Sequence, residues 1–238
     1  MPESRDRLIV ALDVASEGQA RELVATLGDA VGFYKVGKEL FTAIGPGFVR
    51  ELVKGGKRVF LDLKFHDIPN TVAGAVRSAS ELGVSLLTVH ASGGSKMLKA
   101  AADAAAQSVA RPTVLAVTVL TSMGTDDLGE IGVAGAVEKQ VERLAGLALS
   151  AGCGGLVASA LEARRLREAF GKEFTLVTPG IRPAGGDVGD QARVVTPANA
   201  IEAGASYLVV GRPITASPDP RKAALAIRRE IEAASARS

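Results

Sequence analysis

Arg58-Val59-Phe60-Leu61-Asp62-Leu63-Lys64-Phe65-His66-Asp67 opens as a buried strand and closes as a row of charges. A β-strand alternates its side chains between two faces. Phe60, Asp62 and Lys64 therefore share one face, and Val59, Leu61 and Leu63 share the other. The second face is wholly apolar and suits packing against helices. The first changes from an aromatic ring to an acid and then a base, as a strand does when it runs from a packed interior into a polar mouth.

Outward from this strand, short apolar, β-branched runs alternate with longer segments whose apolar residues recur every three or four positions. Strands are predicted at Leu8–Asp13, Phe33–Gly37, Arg58–Leu63, Leu86–His90, Thr113–Leu120, Gly155–Ser159, Phe174–Thr178 and Tyr207–Val210. Helices are predicted at Glu17–Leu27, Thr71–Leu82, Lys96–Val109, Val133–Leu149, Leu161–Phe170 and Arg221–Ala233. Many of these helices run into glycine-containing breaks, such as Gly28, Gly83, Gly152 and Gly171. Eight strand–helix units in 238 residues, with no low-complexity linker, predict an α/β fold: a (β/α)8 TIM barrel, with residues 1–238 as a single catalytic domain. A doubly wound open sheet is the weaker alternative, because no Gly-x-Gly-x-x-Gly follows the first strand. Thr121–Gly132 and Gly180–Gly189 lack clear periodicity and follow strands, so both are expected as lids over the catalytic face.

Composition narrows the function. Basic residues number 28 against 26 acidic ones, for a net charge of +2, and there is no Lys/Arg tract. With two Tyr and no Trp, nucleic-acid binding has little support. The lone cysteine, Cys153, excludes an internal disulfide framework and a multi-cysteine metal site, and it is expected as a small buried hydrophobe. The polar start, Met1 to Arg7, carries no secretory segment, and no apolar run nears the ~20 residues of a membrane span. A soluble, cytoplasmic protein is expected.

Barrel enzymes collect their active sites at the C-terminal ends of the strands. Here the first strand ends in Asp13, the second carries Lys35, the third ends in Asp62 and Lys64, the fourth in His90, and the eighth runs into Gly211-Arg212. Four or more charges in a partly desolvated mouth are costly unless paired, and such arrays are usually functional. A lysine held between two carboxylates stays protonated and suits the stabilisation and protonation of a carbanion. An aspartate beside a substrate carboxylate loses its repulsion as CO2 leaves. The array fits a decarboxylation that needs no electron-sink cofactor.

Gly211-Arg212 stands where many barrels grip phosphate, glycine giving close backbone approach and arginine a bidentate donor. The glycine-rich stretch after the seventh strand adds Arg182 and Gln191 to the same face.

These residues closely resemble the short bacterial type of orotidine 5'-phosphate decarboxylases. The resemblance runs through Leu12-Asp13, Tyr34-Lys35-Val36-Gly37, Asp62 to Thr71, Val117 to Ser122, Thr178 to Pro183 and Val209 to Ile214. It implies conversion of orotidine 5'-monophosphate to UMP and CO2 with no metal and no cofactor. By that resemblance, Lys64 would protonate the C6 carbanion and Asp62 would lie beside the leaving carboxylate. Asp13 and Lys35 would hold the ribose hydroxyls, and Thr121 would close over the pyrimidine. Arg182, Gln191, Gly211 and Arg212 would hold the 5'-phosphate. It further implies a homodimer in which Asp67 and Thr71 enter the partner's active site.

Metal-dependent barrels resembling hexulose-phosphate synthase share an Asp-x-Lys-x-x-Asp pattern. They need a carboxylate at the end of the second strand, where this chain has Lys35. A non-catalytic nucleotide sensor would keep Gly211-Arg212 but has no need of Lys64 among aspartates. His66 reads as a loop-shaping residue, His90 as either a pocket wall or a satisfied barrel histidine, and Asp126, Asp127 and Glu130 as solvated lid charges.

Overall fold

The computed structural model describes residues 6–183 and 195–237. Among these, eight parallel strands close into a barrel in chain order, β1 (Leu8–Ala11) pairing with both β2 (Phe33–Gly37) and β8 (Tyr207–Val210). Between them run β3 (Arg58–Phe65), β4 (Leu86–His90), β5 (Thr113–Val117), β6 (Gly155–Val157) and β7 (Thr175–Thr178).

The alternation of each strand separates two apolar layers. Ile9, Phe33, Phe60, Leu86, Leu115, Val177 and Tyr207 fill the barrel interior. Their sequence neighbours Val10, Tyr34, Leu61, Leu87, Leu176 and Leu208 join the larger layer beneath the helices. The floor is closed by Arg58, whose guanidinium lies 4.2 Å from the Phe33 ring centre and donates to the Tyr207 hydroxyl at 3.0 Å. With aromatic rings and an arginine plugging one end, polar side chains have room only at the other.

The helix ring comprises α1 (Glu17–Leu27), α2 (Lys38–Ile44), α3 (Gly47–Lys54), α4 (Pro69–Ser80), α5 (Gly94–Ala106), α6 (Thr125–Glu130), α7 (Val137–Ser150), α8 (Ala160–Phe170), α9 (Pro197–Glu202), α10 (Arg212–Thr215) and α11 (Pro220–Ser235). Local chemistry sets their ends. Ser16 caps α1 through the Gln19 N–H, and Gly28, at φ 54°, closes it. Ser159 and Glu162 form a capping box on α8, and Asp219 accepts from the Lys222 N–H ahead of Pro220 in α11. None of these helices is long and apolar enough to cross a membrane.

Several expectations need correction. Thr121–Gly132 is not a plain lid loop, since α6 forms within it, its N-terminus capped by Asp127 accepting from the Gly124 N–H at 2.6 Å. The short helices α2, α9 and α10 carry too few turns for a periodic signal, whereas α3, with Phe48, Val49 and Leu52 on one buried face, was simply not predicted. β1, β5 and β6 stop before Asp13, Leu120 and Ser159, because ladder partners rather than apolar character end a strand. Of Gly180–Gly189, residues 184–189 lie outside the described residues.

Candidate active site

β3 is where the fold departs from regularity. Leu61 pairs with Leu87 and Phe65 with Val89, so Asp62, Leu63 and Lys64 together stand opposite the single residue Thr88 of β4. Lys64 takes a left-handed backbone, φ 52°, which a residue with a Cβ rarely adopts. Such bulges re-aim side chains. Here Asp62 and Lys64 both reach the barrel mouth, as simple alternation predicted, although the strand between them is not simply alternating.

The charges form a chain across three strands. Lys64 Nζ lies 2.8 Å from both carboxylate oxygens of Asp62. Lys35 Nζ, from the buried middle of β2, donates to Asp13 Oδ1 at 2.7 Å and lies 3.7 Å from Asp62 Oδ2. Thr88 completes it: its hydroxyl accepts from the Lys64 backbone N–H and donates to Asp62 Oδ1, each at 2.9 Å. Gly37 makes room for the Lys35–Asp13 pair, since a Cβ there would lie 2.8 Å from Lys35 Nζ and 3.0 Å from Asp13 Oδ1. Burial pushes the Asp62 carboxyl up, but Lys64, Lys35 and the bonds from Lys64 and Thr88 outweigh it and hold the group below the usual carboxylate range.

This array forms one wall of a cavity of about 650 Å³ at the C-terminal ends of the strands. Thr121, Gly180, Arg182, Gly211 and Arg212 line other parts of it. Arg182, just beyond β7, is buried and donates to the Ile181 carbonyl at 3.3 Å. Gly211 caps α10 and Arg212 is its first residue. Phe60, Val117, Val157 and Val209 supply an apolar floor beneath the charged groups.

A family model described as orotidine 5'-phosphate decarboxylase / HUMPS family matches residues 6–227. The chain belongs to that family. The orotidine 5'-phosphate decarboxylase of Moorella thermoacetica is 56% identical over 235 residues, spanning 96% of this chain and 93% of that one. The enzyme of that name from Idiomarina loihiensis is also 56% identical, over 90% of this chain and 93% of its own. The crystal structure of orotidine 5'-phosphate decarboxylase from Lactobacillus acidophilus superposes with a TM-score of 0.85 at 42% identity, covering 95% of this chain and 99% of that one.

Of the residues expected to serve this orotidine 5'-phosphate decarboxylase-family site, Asp13, Lys35, Asp62, Lys64, Thr121, Arg182, Gly211 and Arg212 line one cavity. Gln191 lies outside the described residues. Asp67 and Thr71 do not join them. Asp67 is exposed, its Oδ1 accepting from the Ile68 N–H at 2.6 Å, and Thr71 is exposed on the first turn of α4. The lysine held between two carboxylates of this chain is thus Lys35, between Asp13 and Asp62. Lys64 pairs with Asp62 alone among the described residues.

His90 lies outside the cavity wall and faces His66, with ring centres 5.5 Å apart. Burial, then the nearby His66, Lys38 and Lys64, lower its pKa. Cys153 is buried and its thiol pushed up to about 12, as an inert core residue. Sequence reasoning missed Thr88 and the apolar floor. The signal for Thr88 was available as a lone hydroxyl inside Leu86-Leu87-Thr88-Val89, on the inward phase of the strand.

Proposed function

We propose that this chain decarboxylates orotidine 5'-monophosphate to UMP and CO2, the last step of de novo pyrimidine synthesis, without a metal or organic cofactor. One observation carries this reading: an ammonium fixed by both oxygens of a half-buried carboxylate, in a cavity that also holds two arginines. As the C6–carboxylate bond breaks, its electron pair stays on C6 and CO2 departs. Lys64 stabilises that carbanion and gives it a proton from Nζ, to be replaced from solvent. Asp62 lies beside the leaving carboxylate and holds the Lys64 side chain in place through both of its oxygens. Lys35 and Asp13 take the ribose hydroxyls, and Thr121 covers the pyrimidine. Arg182, Gln191, Gly211 and Arg212 take the phosphate, so that remote binding energy assembles the site.

Residues 1–238 act in this reading as one barrel domain in a cytoplasmic homodimer, with the nucleotide as ligand and neither nucleic acid nor membrane as partner. Asp67 and Thr71, exposed and turned from their own cavity, serve the neighbouring subunit's site. The sugar-phosphate alternative is disfavoured because Asp13 and Asp62, the carboxylates a hard cation would need, are already held by ammonium groups.

The test is loss of the ultraviolet absorbance of orotidine 5'-monophosphate with a chelator present. Turnover is expected to ignore the chelator, and Lys64→Ala to lower it on the order of 10³-fold or more. Dependence on Mg2+ would point to the sugar-phosphate chemistry, and UMP binding without turnover to a nucleotide sensor.

A further inference from the structure

We propose that Thr88 is a positioning residue for the decarboxylation, its one hydroxyl locking the left-handed Lys64 backbone and the Asp62 carboxylate into a single geometry. The proposal rests on the function given above.

A hydroxyl has one hydrogen to give and lone pairs to accept with. Thr88 uses both toward the array, giving the hydrogen to Asp62 Oδ1 and accepting from the Lys64 N–H. Its side chain is fully buried, with relative exposure 0%, so water does not substitute for either bond. The need for it follows from the register slip. Three β3 residues stand against one β4 residue, and the Lys64 N–H meets the Thr88 hydroxyl, not a ladder carbonyl. With φ at 52°, Lys64 occupies a conformation that persists only where its surroundings enforce it. The same atom that enforces it also fixes the carboxylate that grips the Lys64 ammonium at 2.8 Å. Backbone, ammonium and carboxylate therefore close into one loop of contacts through Thr88 Oγ1. Thr88 itself does not line the cavity, so it acts through Lys64 and Asp62 and not on the substrate.

Thr88→Val keeps nearly the same volume and removes both bonds, whereas Thr88→Ser keeps the hydroxyl. Thr88→Val is expected to lower kcat for orotidine 5'-monophosphate on the order of 10- to 100-fold, the cost of a small misplacement of a reacting group. KM and the affinity for UMP should stay within about threefold, and Thr88→Ser should recover most of kcat. In the ligand-free protein, hydrogen exchange at the Lys64 amide should accelerate at least about tenfold in Thr88→Val, with the amides of Phe60 and Leu61 unchanged. Wild-type turnover decides the decarboxylase reading, and the exchange measurement decides the role of Thr88 with no substrate present. Unchanged exchange at Lys64, an undiminished kcat in Thr88→Val, or Thr88→Ser failing as badly as Thr88→Val would each overturn the proposal. So would a loss of UMP affinity parallel to that of kcat, which marks general damage.

Discussion

Asp62 is the residue on which the array balances, because it faces Lys64 on one side and Lys35 on the other. Removing its charge leaves two ammonium groups in a partly desolvated mouth with only Asp13 to answer them. Asp62→Asn is therefore expected to cost about 3 kcal/mol at pH 7, measured by urea unfolding. The sign of its pH dependence is fixed. The folded carboxyl titrates below its ordinary 3.8, so its contribution is fully present above that value and is lost as pH falls through the lower folded pKa. The stability gap between wild type and Asp62→Asn should narrow in that acidic window and stay constant between pH 5 and 7. A gap that persists unchanged below the window would mean that packing, not charge, sets the difference.

Among the elements, β3 and β6 carry opposite lessons. β3 gains residues relative to its neighbour and uses them to turn two charges toward the mouth. β6 has only three residues and no room to spare. A Cβ at Gly155 would lie 2.3 Å from the Thr175 carbonyl oxygen and 2.6 Å from Leu115 Cδ2, and the carbonyl belongs to the barrel ladder and cannot move aside. Gly155→Ala is expected to destabilise the protein by about 2–3 kcal/mol, read from the urea midpoint. Gly129→Ala in α6, where a Cβ meets nothing within 4 Å, serves as the contrast and should stay within about 1 kcal/mol of wild type or gain slightly. Equal losses at both positions would argue against barrel closure as the cause.

For the molecule as a whole, the notable division is between the side chains that gather in one cavity and those that face away. Asp67 and Thr71 belong to the same block of sequence as Asp62 and Lys64, yet they stand outside. If they serve a neighbouring subunit, two defective variants should repair each other. Lys64→Ala and Asp67→Asn, each nearly inactive alone, should regain about a quarter of wild-type activity per subunit when co-folded in equal amounts, since half the dimers are mixed and each holds one intact site. No recovery, with mixed dimers present, would return Asp67 to its own chain.

The strands, their order and the polarity of their ends were legible from local pattern, because apolar runs and their spacing follow from burial and backbone geometry. Asp13, Asp62, Lys64 and Arg212 could be picked out because charge at the end of an apolar strand stands out against its surroundings, and Lys35 because charge inside one does. The short helices α2, α6, α9 and α10 could not, having too few turns to show a period. Nor could the slip between Leu61 and Phe65, because register is a relation between two strands and is written in neither alone. Only the closed barrel set Thr88 against the bulge. It also put Lys35, not Lys64, between two carboxylates of this chain and turned Asp67 outward. The run from Asp62 to Asp67 carries its charges in its sequence; which of them meet is a property of the sheet.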